Sequence, residues 1–336
     1  MKRLLLIALT APALLLVAAD APKPALRLVG TTDLPGISGD LDHLGIDTAG
    51  QRLFLAAEDN GTLRIIDLKS GKLVRTVKGF ETPHSILYLP DAKELYITDG
   101  SKDVKVLDSD TFAVKKTVPT TPGADSIGVD KKDHLLYAVT GGKDVKMTTS
   151  NISIIDTQAA KLKREIPIDA AHVEAMAVEQ SGPRLFVNVT DKNYLAVIDR
   201  NTGKIVSQWP ISAAKQNAPI AFDEPHHRLF VVCRDPGTLV VLDSQTGKQL
   251  ASFPTGAKAD EVVFDPTHRR IYVAAGEGKI YAYEQIDPDH YKALTPIPSA
   301  VGAKTALLSP DCSHLYVSVS PGEGKTGAKL LTFAID

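Results

Sequence analysis

One tetrapeptide pattern is written seven times along this chain. Leu-Phe-Leu-Ala begins at Leu53, Leu-Tyr-Ile-Thr at Leu95, Leu-Tyr-Ala-Val at Leu136 and Leu-Phe-Val-Asn at Leu185. Leu-Phe-Val-Val follows at Leu229, Ile-Tyr-Val-Ala at Ile271 and Leu-Tyr-Val-Ser at Leu315. The aromatic falls at positions 54, 96, 137, 186, 230, 272 and 316, at intervals of 42, 41, 49, 44, 42 and 44 residues. Aliphatic and aromatic tetrads at this period, separated by short alternating segments and turn formers, predict an all-β chain. The expected architecture is a seven-bladed β-propeller with four antiparallel strands per blade. Length alone would suggest two domains, but a ring needs every repeat, so residues 22–336 are read as one domain.

Blade one shows the expected unit. His43 to Asp47 reads as strand a, nearest the axis, and Arg52 to Glu58 as strand b, joined by the turn Thr48-Ala-Gly-Gln51. Asp59-Asn60-Gly61 reads as a hairpin turn, since Asn-Gly accepts the positive φ such turns need. Thr62 to Leu68 is strand c, Lys69-Ser70-Gly71 a second turn and Lys72 to Lys78 strand d. An Asp closes strand c in five blades, at Asp67, Asp108, Asp156, Asp199 and Asp243. Each is followed by turn residues, so each is expected to cap its own turn rather than bind metal. The chain ends on a strand c, Leu330 to Asp336, while Leu26-Arg-Leu-Val-Gly30 resembles a strand d. The N-terminal strand is therefore expected to complete the seventh blade, which closes the ring and removes an open edge.

These tetrads resemble the YVTN-type β-propeller repeats of exported bacterial and archaeal proteins. The resemblance runs through essentially the whole chain beyond the leader. It implies a seven-bladed disc and little about function, because its members range over surface-layer, periplasmic binding and uncharacterised proteins. Some relatives with similar blades hydrolyse lactones or carry redox cofactors.

Residues 1–21 read as a secretory signal peptide: Lys2 and Arg3 precede an apolar run from Leu4 to Val17, with small residues at Ala18, Ala19 and Ala21. The run is too short to span a bilayer and no second one follows, so a periplasmic protein without a membrane span is expected. The formal charge is -2; without Lys2 and Arg3 it becomes -4. The cations are scattered, so nucleic acid is not an expected partner. Cys233 and Cys312 belong to opposite ends of their blades and are expected to be free thiols, Cys233 the more buried.

The chemistry concentrates at the inner end of strand a, where a propeller channel opens. Twelve residues before each tetrad aromatic stand Asp42, His84, Asp125, Glu174, Ala218, Asp260 and Lys304. One residue on are His43, Ser85, Ser126, Ala175, Pro219, Glu261 and Thr305. Six of the seven first positions are ionisable in a chain that is 23% charged. Three readings fit this ring: a solvated polar funnel, a site for an organic ligand or partner, and a cation site. Oxygens from Asp42, Asp125, Glu174 and Asp260 suit Ca²⁺, and imidazole from His43 or His84 suits a borderline metal. No short zinc-type spacing occurs, so no metal ligands are assigned. Arg234, at the end of strand b in blade five, either clamps an anionic group or bridges to Asp260 or Glu261. Lys304 adds a second cation.

Two b–c loops are long, Gly141 to Asn151 and Ser320 to Lys329, and both are expected to overhang the mouth. Neither has phosphate-loop spacing. His226-His227 lies in an a–b turn on the far face, as do His134, His268 and His314, and is read as surface. No haem-attachment motif or Gly-x-Ser-x-Gly elbow occurs, and the single Trp209 gives no basis for quinone docking. The leading expectation is an exported binding or accessory protein. Its polar funnel would meet a small molecule or a periplasmic protein through Asp42, His43, His84, Asp125, Glu174, Arg234, Asp260, Glu261 and Lys304. The alternative is a lactonase-like hydrolase with a divalent cation on Asp42, Asp125, Glu174 and Asp260. There His84 or His43 would be the base, and Arg234 with Lys304 would orient an anionic group.

Overall fold

Seven antiparallel sheets stand around one axis in the computed structural model, which describes residues 24–321 and 327–336. The leader at 1–21 lies outside the described residues. In blade one the strands Leu44–Asp47, Arg52–Ala57, Thr62–Asp67 and Lys72–Lys78 pair in sequence order from the axis outwards. Blades two to five repeat this plan. In blade six strand c is long, Glu277–Asp287, and its outer partner is broken into His290–Ala293 and Ile297–Val301, which pair with its two halves. Blade seven takes Ala303–Leu308, His314–Val319 and Lys329–Ile335 from the C-terminus and its outer strand from Leu26–Asp33. Leu26 pairs with Ile335 and Asp33 with Lys329, so the first strand closes the ring as the sequence implied.

The repeated tetrad is the packing unit. Strand b has a blade on each side, so its tetrad is buried; Leu53, Phe54, Leu55 and Ala56 are all inaccessible, and the polar fourth residues Thr98, Asn188 and Ser318 of other blades are buried too. The strand's period of two sends Leu53 and Leu55 against blade seven and Phe54 against blade two. All seven tetrad aromatics point to the following blade, one in each of the seven apolar clusters between neighbouring blades. Each such ring stabilises its interface by roughly 1.5–3 kcal/mol of burial. On the face away from the mouth, Arg52 adds a clasp: it bonds the Asp47 carboxylate at 2.6 Å and the Ser109 carbonyl of blade two at 2.6 Å.

The turn chemistry follows the sequence. Asp67, Asp108, Asp156, Asp199 and Asp243 each accept backbone N–H bonds from the turn they open, at 2.6–3.1 Å. Cys233 and Cys312 are free and buried, and Cys233 is fully inaccessible. One local expectation needs correction. Strand b of blade one stops at Ala57, and Glu58–Asn60 forms a 3-10 turn with Gly61 left-handed at φ 57. Asp59 and Asn60 hold this turn to the incoming chain, where they accept from the amides of Asp40 and Ser38. These tertiary bonds override the tight hairpin that Asn-Gly alone favours.

Candidate functional site at the channel mouth

A β-bulge opens the inner end of strand a in every blade. Asp42 and His43 both face Ala56, and Asp125 and Ser126 both face Val139. The register slips at the equivalent point in the other five: between Pro83 and Ile86, Val173 and Met176, Asn217 and Ile220, Ala259 and Glu261, and Ala303 and Thr305. The extra residue of a bulge leaves the ladder, and its side chain is turned away from the blade face. That residue is the one twelve before the tetrad aromatic. All seven of them, Asp42, His84, Asp125, Glu174, Ala218, Asp260 and Lys304, line one cavity of about 770 Å³.

The charged side chains join into two chains of contacts. In the first, His84 Nδ1 lies 2.7 Å from Asp42 Oδ2 and 3.7 Å from Asp125 Oδ1. His43 Nε2 stands 3.5 Å from Asp42 Oδ1, and its Nδ1 lies 3.3 Å from Glu261 Oε2. This gives carboxylate and imidazole in alternation: Asp125, His84, Asp42, His43, Glu261. In the second, Arg234 donates to Glu174 Oε1 at 3.1 Å, to the Ala259 carbonyl at 3.0 Å and to Asp260. Lys304 Nζ contacts Asp260 Oδ2 and Asp40 Oδ2, each at 3.0 Å. His172 Nε2 reaches Glu174 Oε1 at 2.7 Å, and Lys143 Nζ lies 3.3 Å from His172 Nδ1.

Proton affinities follow these contacts. Burial alone would lower His84, but Asp125 and Asp42 raise it to about 10. Burial opposes a charged His43 too, yet Asp42 and Glu261 hold it well above the usual imidazole range. Burial would raise Asp42; His43 and His84 outweigh it and keep this carboxyl well below the ordinary value. Asp125 goes the other way, to about 6, because burial and the neighbouring Asp42 and Glu174 charges exceed the pull of His84. Burial raises Glu58 to about 7. Burial likewise raises Glu261, whereas His172 and Arg234 overcome it and lower Glu174. Carboxylate neighbours thus favour the charged form of both His43 and His84.

The sequence-derived residues are placed as follows. Asp42, His43, His84, Asp125, Glu174, Arg234, Asp260 and Lys304 all line the cavity, and Glu261 sits behind it on His43. Arg234 bridges Asp260, as one reading of the sequence required, and Glu174 as well. The four-carboxylate cation shell is not what the fold assembles: Glu174 and Asp260 are engaged by Arg234, and only Asp42 and Asp125 converge, with His84 between them. Sequence reasoning missed Asp40 and His172. Both stand fourteen residues before a tetrad aromatic, so counting two positions further would have found them. The long blade-three loop overhangs the mouth, with Lys143, Asp144 and Val145 on the cavity. Residues 322–326 of the blade-seven loop lie outside the described residues.

No model of a known protein family matches the chain. It is similar to a protein of Salmonella typhi described as the uncharacterized protein YncE, 29% identical over 93 residues, or 27% of this chain and 26% of that one. The match thus spans about a quarter of the relative's length. Among solved structures, a chain of a mitotic checkpoint complex superposes with a TM-score of 0.77 at 16% identity over 99% of both chains. A chain of hydrazine synthase from Kuenenia stuttgartiensis gives 0.74 at 16% identity, over 90% of this chain and 99% of that one. At such identities these likenesses speak for architecture alone, and the chain is a seven-bladed β-propeller.

Proposed function

We propose that this chain is an exported, YVTN-type propeller of the periplasm that binds a small polar ligand, or a segment of a partner protein, at its channel mouth. The observation that carries this reading is the cavity of about 770 Å³ on which the bulged residues of all seven blades converge. Its size suits a small organic molecule, and its charged wall supplies the fixed polar groups that orient one. The tetrads support membership of the YVTN group, and the apolar leader with its two leading cations supports export. Among the described residues no helix is long and apolar enough to cross a membrane. A second reading, metal-assisted hydrolysis of a lactone-like ester, draws support from Asp42, His84 and Asp125, whose donor atoms lie within 4.8 Å of one another.

Photo-crosslinking in periplasmic extract tests the first reading. A photoreactive residue replaces Lys143 at the mouth or, separately, His226 in the far-face turn, and native mass spectrometry reads any small molecule retained by the unmodified chain. A retained molecule, or adducts formed from position 143 and absent from position 226, is the expected result. Neither a retained molecule nor an adduct at 143 would remove the reading.

A further inference from the structure

Lys and Arg are not spread evenly around the mouth. On the side of blades four to seven both bulge carboxylates touch a permanent cation: Glu174 and Asp260 share Arg234, and Asp260 also meets Lys304. On the side of blades one to three, Asp42, Asp125 and Glu58 line the same cavity, and no Lys or Arg among the described residues contacts any of them. His84 alone stands between Asp42 and Asp125, with Nδ1 at 2.7 Å and 3.7 Å from their oxygens. One donor atom from each of the three lies within 4.8 Å of the other two. The Glu58 carboxylate has no hydrogen-bond or ion-pair partner among the described residues, and Glu58 lines the same cavity as the three. This wall carries no permanent cation, and on it an imidazole nitrogen and two carboxylates from three successive blades converge.

We propose that Asp42, His84 and Asp125 form a site for one divalent ion of the borderline class, Zn²⁺ or Mn²⁺, with Glu58 as a supporting third carboxylate. The inference rests on the reading of the mouth as a ligand site. One nitrogen and two carboxylate oxygens match the mixed donor sets of these ions, whereas Ca²⁺ seeks six to eight oxygens and gains little from imidazole. Three protein donors on one wall leave the cavity side open for water or a ligand oxygen. The bulges of blades one, two and three fix the three Cα positions independently of the ion. Gly100 serves the same arrangement, because a Cβ there would stand 3.0 Å from His84 Nε2 and 2.4 Å from Thr82 Oγ1. Glycine lets the ring lie against strand b with Nδ1 towards the carboxylates.

The test uses the untagged mature chain, stripped with EDTA and titrated with ZnCl₂ or MnCl₂ alone by calorimetry. One ion per chain is expected. Asp125→Asn and His84→Gln should each weaken binding by about a hundredfold or more, and Glu58→Gln by about tenfold, as loss of supporting groups does elsewhere. Glu174→Gln, on the Arg234 side, should leave affinity within about threefold. If a ligand variant fails to fold, the wild-type chain still decides: Mn²⁺ bound here must show nitrogen hyperfine coupling from His84. Absent stoichiometric binding, undiminished affinity in His84→Gln, Ca²⁺ bound more tightly than Zn²⁺, or bound Mn²⁺ without nitrogen coupling would each overturn the proposal. Because the probe is the metal alone, this result is independent of whether the crosslinking experiment finds an organic ligand or partner.

Discussion

Leu26→Ala should loosen the seam of the ring, and Leu28→Ala, two residues away in the same strand, should not. Leu26 is 2% exposed and belongs to the apolar cluster between blades six and seven, with Leu331 and Phe333. Leu28 is 52% exposed on the outer face. Both residues pair with the C-terminal strand, Leu26 with Ile335 and Leu28 with Phe333, and alanine leaves the backbone pairing of each in place. The difference between the variants is therefore side-chain burial. Truncating a buried leucine costs about 2–5 kcal/mol including the cavity left behind, and an exposed one within about 0.5 kcal/mol. With an unfolding entropy of about 2.1 cal/mol/K per residue over roughly 310 residues, a loss of about 3 kcal/mol lowers the melting temperature by about 4–5 °C. Leu28→Ala should move it by less than about 1 °C. Thermal melts followed by circular dichroism, checked by urea titration, read both variants. Equal losses, or a larger loss for Leu28→Ala, would refute the claim that the first strand closes the ring through its buried face.

Deleting residues 22–32 should abolish the single cooperative melt and promote association through the exposed Lys329–Ile335 edge, read by scattering; an unchanged melt would contradict strand exchange. Arg234→Ala leaves Glu174 with His172 and Asp260 with Lys304 as their remaining partners, each carboxylate about one-fifth exposed, and should cost about 1–3 kcal/mol in urea titrations, less than about 0.5 kcal/mol being the contrary result. Both thiols should resist labelling in the folded chain and react quickly in denaturant; rapid native labelling or a disulfide by mass would refute their placement. Burial pushes the Cys233 thiol up to about 12 from an unfolded value of 9.0. The stability from that raised value is complete below pH 9 and is lost as pH rises towards 12, because the unfolded thiol ionises first. Cys233→Ala should flatten the alkaline decline relative to the parent chain, and parallel curves would remove the argument.

The fold was legible because the tetrad carries its own reason. A strand packed on both faces is buried along its length and opens on an aliphatic and an aromatic residue, so Leu53 to Ala56 and its six copies stand out against the exposed strands d. The mouth was legible by arithmetic, since the bulge occurs at the same distance from the aromatic in each blade and a constant count reaches Asp42 and Lys304 alike. Contact partners were not legible. Whether Glu174 faces a metal or Arg234 depends on side-chain reach across blades, which no local pattern encodes. Asp40 and His172 escaped notice because they precede strand a, where the spacing suggests only connection. The 3-10 turn at Glu58 depends on bonds to a segment some twenty residues earlier, and a local turn motif cannot report them.

The seven bulges separate what holds the disc together from what it recognises. A bulged residue is excused from the ladder and from the apolar seams between blades, so its identity answers to neither β propensity nor core volume. Asp, His, Glu, Ala and Lys all occupy the position here over the same backbone frame. The mouth is therefore seven letters set in a fixed mount, each open to change without reopening the problem of folding. Two such discs with the same tetrads can bear unrelated words at this rim, and their specificities are to be compared letter by letter, at the twelfth residue before each aromatic.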